Sequence, residues 1–278
     1  MNYIVIPAYQ PDNKLIKLIE KIHEKSDFRI LVIDDGSSSK CQNIFDKAEQ
    51  YATVLRHQVN QGKGQALKTA FTYIQQQNSY GTVVTADADG QHKIWDIFRT
   101  ANKASENPNK LILGVRAFTG KVPLRSRFGN SLTKALFKIQ TGVEVADTQT
   151  GLRAFTTNLI PFMLKIEGQR YEYEMNMLLE ATKEYQILEV PIETVYINDN
   201  EGSHFRPIRD GLMIYKNIFK FALSSLSSFV VDYLVYAIAI LFLPTAPTNF
   251  RIFLANGLAR VTSSIFNYST NKKLVFKN

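Results

Sequence analysis

The feature that most restricts the fold is a recurring switch between short apolar runs and segments of helical period. Residues 3–6 form an apolar run ending at Pro7, and residues 28–33 form a second that stops at Asp34, Asp35, Gly36 and Ser37. Residues 82–86 form another that ends at Asp87, and residues 53–57 and 111–115 read as two further strands. Between them, residues 14–22 place Leu15, Leu18, Ile19 and Ile22 at helical spacing. Residues 64–74 do the same with Ala66, Leu67, Ala70, Phe71 and Ile74. Strands alternating with helices predict an α/β fold built on a doubly wound, mainly parallel sheet. Ligands bind such sheets beyond the carboxyl ends of the strands. The polar clusters after Ile6, Ile33 and Ala86 all occupy that position.

The cluster Asp87, Ala88, Asp89, Gly90 and Gln91 carries the most specific chemistry. Alternation along a strand end points Asp87 and Asp89 the same way. Two carboxylates and an amide oxygen are hard ligands suited to Mg²⁺ or Mn²⁺. An acidic turn that caps the helix beginning near Lys93 is the structural alternative. Asp34 and Asp35 can accept hydrogen bonds from a base or a ribose, or form an Asx-type turn before Gly36. Pro7 ends the first strand, and Tyr9 is placed either to stack on a base or to pack. Lys63, within Asn60, Gln61, Gly62, Lys63 and Gly64, precedes a helix, where backbone amides favour phosphate. The spacing is not that of a P-loop. Arg116 and Arg127 follow as candidate phosphate ligands, because a guanidinium can bind phosphate through two parallel hydrogen bonds. Asp147 opens a polar loop that runs to Arg153, and Arg206 lies before the next apolar stretch.

Charge separates this chain from nucleic-acid binders. The net charge is +8, but residues 211–278 hold seven Lys and Arg against Asp232 alone. Basic residues flanking apolar stretches read as membrane flanks rather than a nucleic-acid stripe. Residues 208–223 carry the pattern of an interfacial amphipathic helix. Residues 221–243 contain only Asp232 as a charged residue and are long enough to span a bilayer. Residues 250–268 are interrupted by Arg251, Asn256, Arg260 and Asn267. That pattern suggests protein neighbours, including a homo-oligomer through the tail. Asp232 and Arg260 are expected to approach each other in an antiparallel hairpin. The single cysteine, Cys41, excludes a disulfide framework and a cysteine-based zinc site. The first residues offer neither a basic leader nor a long apolar run, so the N-terminal part is expected in the cytosol.

Taken in order, Pro7 to Tyr9, Asp34 to Ser37, Asn60 to Gly64, Asp87 to His92, Gly114 to Arg116, Ser126 with Arg127, and Asp147 to Arg153 resemble glycosyltransferase family 2. The branch they are most similar to is the polyprenyl-phosphate glycosyltransferases of the dolichol-phosphate-mannose-synthase-like type. The resemblance implies a GT-A fold over residues 1–205. It implies nucleotide recognition by Pro7, Tyr9 and Asp35, with Asp34 and Lys63 nearby. Asp87, Asp89 and Gln91 match the positions that hold a divalent ion, Arg116 and Arg127 match phosphate-contacting positions, and Asp147 matches an acidic position near the acceptor. Members often carry prolines after the Gln-His pair, where this chain has Lys93, Ile94 and Trp95. A juxtamembrane helix at 206–220 and a two-helix hairpin at 221–278 follow, and the hairpin resembles the first half of a GtrA-like membrane domain.

The expected reaction is inverting transfer of a hexose from a UDP-sugar, UDP-glucose first among candidates, to undecaprenyl phosphate at the cytosolic face of a bacterial cell membrane. Arg127 and Arg206 are the expected acceptor-phosphate ligands. Asp147 is expected to orient the acceptor or its sugar. The competing readings are a transferase for a polymer or soluble acceptor, with the tail as anchor, and a non-catalytic membrane transport or interaction subunit.

Overall fold

The computed structural model describes residues 1–116, 133–134, 137–138, 141–193, 209–242 and 247–274, with side chains of the last two segments described for 223–242 and 247–273. Arg127 and Arg206 lie outside the described residues. The chain divides into two compact units, Met1–Arg206 and Pro207–Asn278.

The first unit is a seven-stranded sheet flanked by helices. Its elements are β1 (Tyr3–Ala8), α1 (Asn13–Lys25), β2 (Arg29–Asp34), α2 (Gln42–Ala48), β3 (Thr53–Arg56), α3 (Lys63–Gln76), β4 (Thr82–Thr85) and α4 (Ile94–Glu106). There follow β5 (Lys110–Arg116), β6 (Arg153–Thr156), α5 (Ile160–Lys165), α6 (Glu172–Glu184) and β7 (Gln186–Ile192). The strand order is β3-β2-β1-β4-β6-β5-β7. β1 pairs in parallel with both β2 and β4, and β5 pairs in parallel with β7. β6 alone is antiparallel, lying between β4 and β5.

The central strands are apolar in their middles because helices cover both faces of the sheet. Ile4, Val5, Ile6, Val32, Ile33, Val83 and Val84 are all fully buried. α1 begins where the Asp12 side chain accepts a hydrogen bond from Lys14 N at 2.8 Å. It then buries Leu15, Leu18, Ile19 and Ile22 against the sheet. α4 starts at Ile94 without a side-chain cap from Lys93, so the missing prolines leave the helix start in place. The expected mainly parallel, doubly wound sheet is present. β6 and β7 are additions to the sequence reading. β6 is four residues long and emerges directly from a polar loop. β7 carries Glu189 and Pro191, and proline is tolerated there because β7 is an edge strand.

The chain winds outward from β1 to β3, then returns to β4 on the other side of β1. The switch point, where doubly wound sheets bind their ligands, therefore lies between β1 and β4.

The second unit contains α7 (Arg209–Phe242) and α8 (Thr248–Leu274). Backbone helix runs unbroken through α7, so the stretch read as interfacial and the stretch read as a span belong to one element. Among the described residues, one helical segment, Leu223–Phe242, is long and apolar enough to cross a membrane, with mean hydropathy 1.9. α7 and α8 are joined by side-chain hydrogen bonds. Ser224 Oγ donates to Asn267 Oδ1 at 3.3 Å, and Ser263 Oγ donates to Asp232 Oδ1 at 2.8 Å. Arg260 Nη1 lies 3.8 Å from Asp232 Oδ2, the approach expected from their positions.

Candidate active site

The first wall of the site comes from the ends of β1 and β2. Pro7 sits within β1, and Tyr9 just beyond it is 39% exposed. Asp34, the last residue of β2, accepts from Ser37 N at 2.8 Å, forming an Asx-type turn. Gly36 adopts φ +70° in that turn, and a Cβ there would meet Val59 C at 2.3 Å. Asp35 is almost fully buried and turns inward. It accepts from Gln61 N at 2.9 Å and Gly62 N at 2.8 Å, and meets His57 Nδ1 at 2.8 Å. The other ring nitrogen of His57 meets Thr69 Oγ1 at 2.9 Å. Protein donors thus occupy both oxygens of Asp35. These bonds fix the loop ahead of Lys63. His57 carried no signal in the sequence, because only the parallel pairing of β2 with β3 brings it to Asp35.

Lys63 opens α3, directly after Gly62 at φ +102°. Gly64 lets this helix end abut α6, since a Cβ would stand 2.5 Å from Tyr173 Cβ. The Lys63 ammonium lies 2.7 Å from Asp87 Oδ1 and 2.9 Å from Glu174 Oε2. Burial opposes that charge, but Asp87 and then Glu174 outweigh it and hold the lysine above its ordinary range. For Asp87, burial favours the neutral acid, yet Lys63 and His92 hold the carboxyl well below the usual carboxylate range. His92 Nε2 stands 3.4 Å from Asp87 Oδ2 but lacks hydrogen-bond geometry there. Gly151 makes room for this carboxylate, as a Cβ at that position would sit 2.4 Å from Asp87 Oδ2. Glu174 was not singled out in the sequence. It lies in an amphipathic helix, and nothing local distinguishes it from a surface acid.

Asp89 differs from Asp87. It makes no ion pair among the described residues and accepts from Gln91 N at 3.0 Å. Burial, then the neighbouring charge of Asp87, pushes its carboxyl up. A cation would relieve that repulsion. The oxygen donors of Asp87, Asp89 and Gln91 therefore suit a hard divalent ion. No group of three acidic, histidine or cysteine side chains capable of caging a metal occurs among the described residues. An ion held here would draw further ligands from substrate phosphates and water, as Mg²⁺ commonly does.

At the end of β5, Arg116 grips Asp147 through two hydrogen bonds, Nε to Oδ2 at 2.5 Å and Nη2 to Oδ1 at 3.1 Å. Asp147 Oδ1 also accepts from Gln149 N at 3.0 Å, and the residue is fully buried. Its carboxylate is enclosed, and both of its oxygens are held by Arg116. Arg153 is also buried, with Nε donating to Thr150 O at 3.0 Å and Nη1 donating to the Glu174 carbonyl. It is a structural cation that ties the polar loop to α6.

Comparisons with known proteins bear on the family and the fold. The chain is 26% identical over 215 residues to UDP-N-acetylglucosamine--dolichyl-phosphate N-acetylglucosaminyltransferase of Methanococcus voltae, covering 70% of this chain and 85% of that protein. It is 25% identical over 252 residues to dolichyl-phosphate beta-glucosyltransferase of Saccharomyces cerevisiae, covering 77% and 72% respectively. Among solved structures it is similar to glucosyl-3-phosphoglycerate synthase from Mycobacterium tuberculosis, crystallised with Mn²⁺, UDP and phosphoglyceric acid. That likeness has a TM-score of 0.59 at 16% identity and covers 79% of this chain and 76% of the other, which shows a shared GT-A fold. Residues 3–162 match the sequence model described as Glycosyl transferase family 2. With more than half its length matched, the chain belongs to glycosyltransferase family 2.

Proposed function

We propose that this glycosyltransferase moves a hexose, with inversion, from a UDP-sugar to undecaprenyl phosphate at the cytosolic face of a bacterial membrane. UDP-glucose is the first donor candidate. The observation that carries the donor half is the cluster of Lys63, Asp87 and Asp89 at the switch point of the sheet. The acceptor half is supported by relatives named for dolichyl-phosphate and undecaprenyl-phosphate transfer. The apolar segment Leu223–Phe242 supports it as well, with Leu226, Phe229, Leu234, Leu241 and Phe242 all exposed.

In this reading Pro7, Tyr9 and Asp34 border the nucleotide, and Asp35 holds the loop that presents Lys63. Asp87, Asp89 and Gln91 would hold Mg²⁺ or Mn²⁺, which when bound supplies positive charge against the departing diphosphate. Arg116, steadied by Asp147, and Arg127 face phosphate groups, and Arg206 meets the acceptor phosphate. A phosphate oxygen of the acceptor forms the bond to the anomeric carbon as the bond from that carbon to the UDP oxygen breaks. The acceptor is already anionic near neutral pH, so no side chain has to remove a proton. Residues 1–205 form the catalytic domain, 206–220 the juxtamembrane segment and 221–278 a partial GtrA-like hairpin.

Membranes containing the chain, incubated with Mn²⁺ and radiolabelled UDP-glucose or UDP-N-acetylglucosamine, test the proposal. Label should pass into an organic extract when undecaprenyl phosphate is supplied. Product that stays in the aqueous phase would sink the lipid acceptor. Failure to consume any sugar nucleotide would sink the reaction itself.

A further inference from the structure

We propose that Glu174 reads the donor sugar, its carboxylate oxygen not held by Lys63 accepting a hydrogen bond from a hydroxyl of the hexose. This rests on the UDP-sugar reading above. Glu174 lies in the first turn of α6 and is only 9% exposed. Its Oε2 is 2.9 Å from Lys63 Nζ, and the same ammonium is 2.7 Å from Asp87 Oδ1. Its Oε1 is buried and has no hydrogen-bond partner among the described residues. An unmet buried acceptor is costly and calls for an explanation, and a missing ligand atom is one.

The chemistry of that missing partner is narrow. It must donate a hydrogen, because an ionised carboxylate only accepts. A diphosphate is excluded, since two anions would repel each other. A metal cation is disfavoured, because the Lys63 ammonium already stands 2.9 Å from the same carboxylate. A sugar hydroxyl donates and carries no charge. Lys63 also makes Glu174 the immediate neighbour of Asp87, so a hexose attached to a diphosphate at Asp87 and Asp89 comes within its range.

The position of Glu174 is set firmly enough for recognition. Arg153 Nη1 donates to its carbonyl from within the core. The adjacent Tyr173 donates to Met163 O at 2.8 Å and packs where Gly64 admits it. The α3 end that bears Lys63 and the α6 end that bears Glu174 are therefore locked together, and a sugar would meet a preorganised acceptor.

The test titrates the full chain in detergent with Mn²⁺, using UDP, UDP-glucose and UDP-N-acetylglucosamine separately. Glu174→Ala removes both oxygens, and Glu174→Gln retains the bulk in case the smaller side chain impairs folding. Glu174→Ala should weaken the preferred UDP-hexose roughly 10- to 100-fold more than it weakens UDP, the range of one charge-assisted hydrogen bond, and Glu174→Gln, which keeps a neutral acceptor oxygen, should show a smaller difference of the same sign. Equal losses for UDP and UDP-hexose would overturn the proposal, since that pattern belongs to a residue acting only through Lys63. Unchanged binding of every ligand would overturn it too. A wild-type chain that binds neither UDP nor a UDP-hexose sinks the donor reading together with this inference, and it does so before any substitution is made.

Discussion

At the scale of single residues, the two carboxylates after β4 divide the work. Asp87 is neutralised by Lys63, whereas Asp89 is left with the cost of burial and the repulsion of Asp87. A carboxyl raised by folding lends stability below the ordinary carboxylate value and loses it as pH rises through the folded value. At neutral pH, with divalent ions chelated, the wild type is therefore past that loss. Asp89→Asn should then melt about 2–4 °C higher, the shift that roughly 1 kcal/mol produces in a domain of this size. Thermal melts in chelator at acid and neutral pH would check this, and the gap should narrow as pH falls. The same variant should lose metal-dependent transfer, and near-normal turnover would defeat the ion-site assignment. Arg116→Lys removes the paired hydrogen bonds to Asp147 that only a guanidinium can make. Its kcat should fall by roughly 100- to 1,000-fold, the effect of deleting one transition-state donor. Asp147→Asn should fall in the same direction, because Arg116 loses its anchor.

At the scale of elements, the site depends on close approaches that glycine permits. Gly64→Ala would set a Cβ 2.5 Å from Tyr173 Cβ and 2.9 Å from Arg170 O, forcing α3 and α6 apart. A stability loss of about 1–3 kcal/mol is expected from such overpacking, measurable by denaturant titration. Gly151→Ala would press on the Asp87 carboxylate instead, where a Cβ falls 2.4 Å from Oδ2. Activity should suffer more than stability there, and equal losses would argue that Asp87 matters only to the fold. β1, β2 and β4 could be read from the sequence because a strand buried on both faces carries a continuous apolar run in its middle. β6 and β7 could not. β6 is short, and Glu189 and Pro191 break the apolar pattern of β7, whose place is fixed by pairing with β5.

At the scale of the whole molecule, the tail raises a question of cover. Arg260 lies beside Asp232, yet its side chain is 78% exposed. If the hairpin sits in a bilayer, an exposed guanidinium there is expensive unless protein surrounds it. The full chain in mild detergent should therefore run as an oligomer by light scattering, and a strict monomer would count against self-association through the tail. Asp232→Ala leaves Ser263 and Arg260 without their shared acceptor. It should loosen the hairpin, seen as faster proteolysis between α7 and α8.

The sequence by itself determined the alternation of strand and helix, the ends of the central strands, and the acidic pair that follows β4. These are local properties, set by periodicity and by what a buried strand must contain. Only the tertiary structure decided who partners whom. It gave Asp147 to Arg116, Asp35 to His57 and the Gln61–Gly62 backbone, and Lys63 to Asp87 and Glu174. Each partnership joins residues distant in sequence. Charge and hydrogen bonding act through space, so no window of sequence contains the pair.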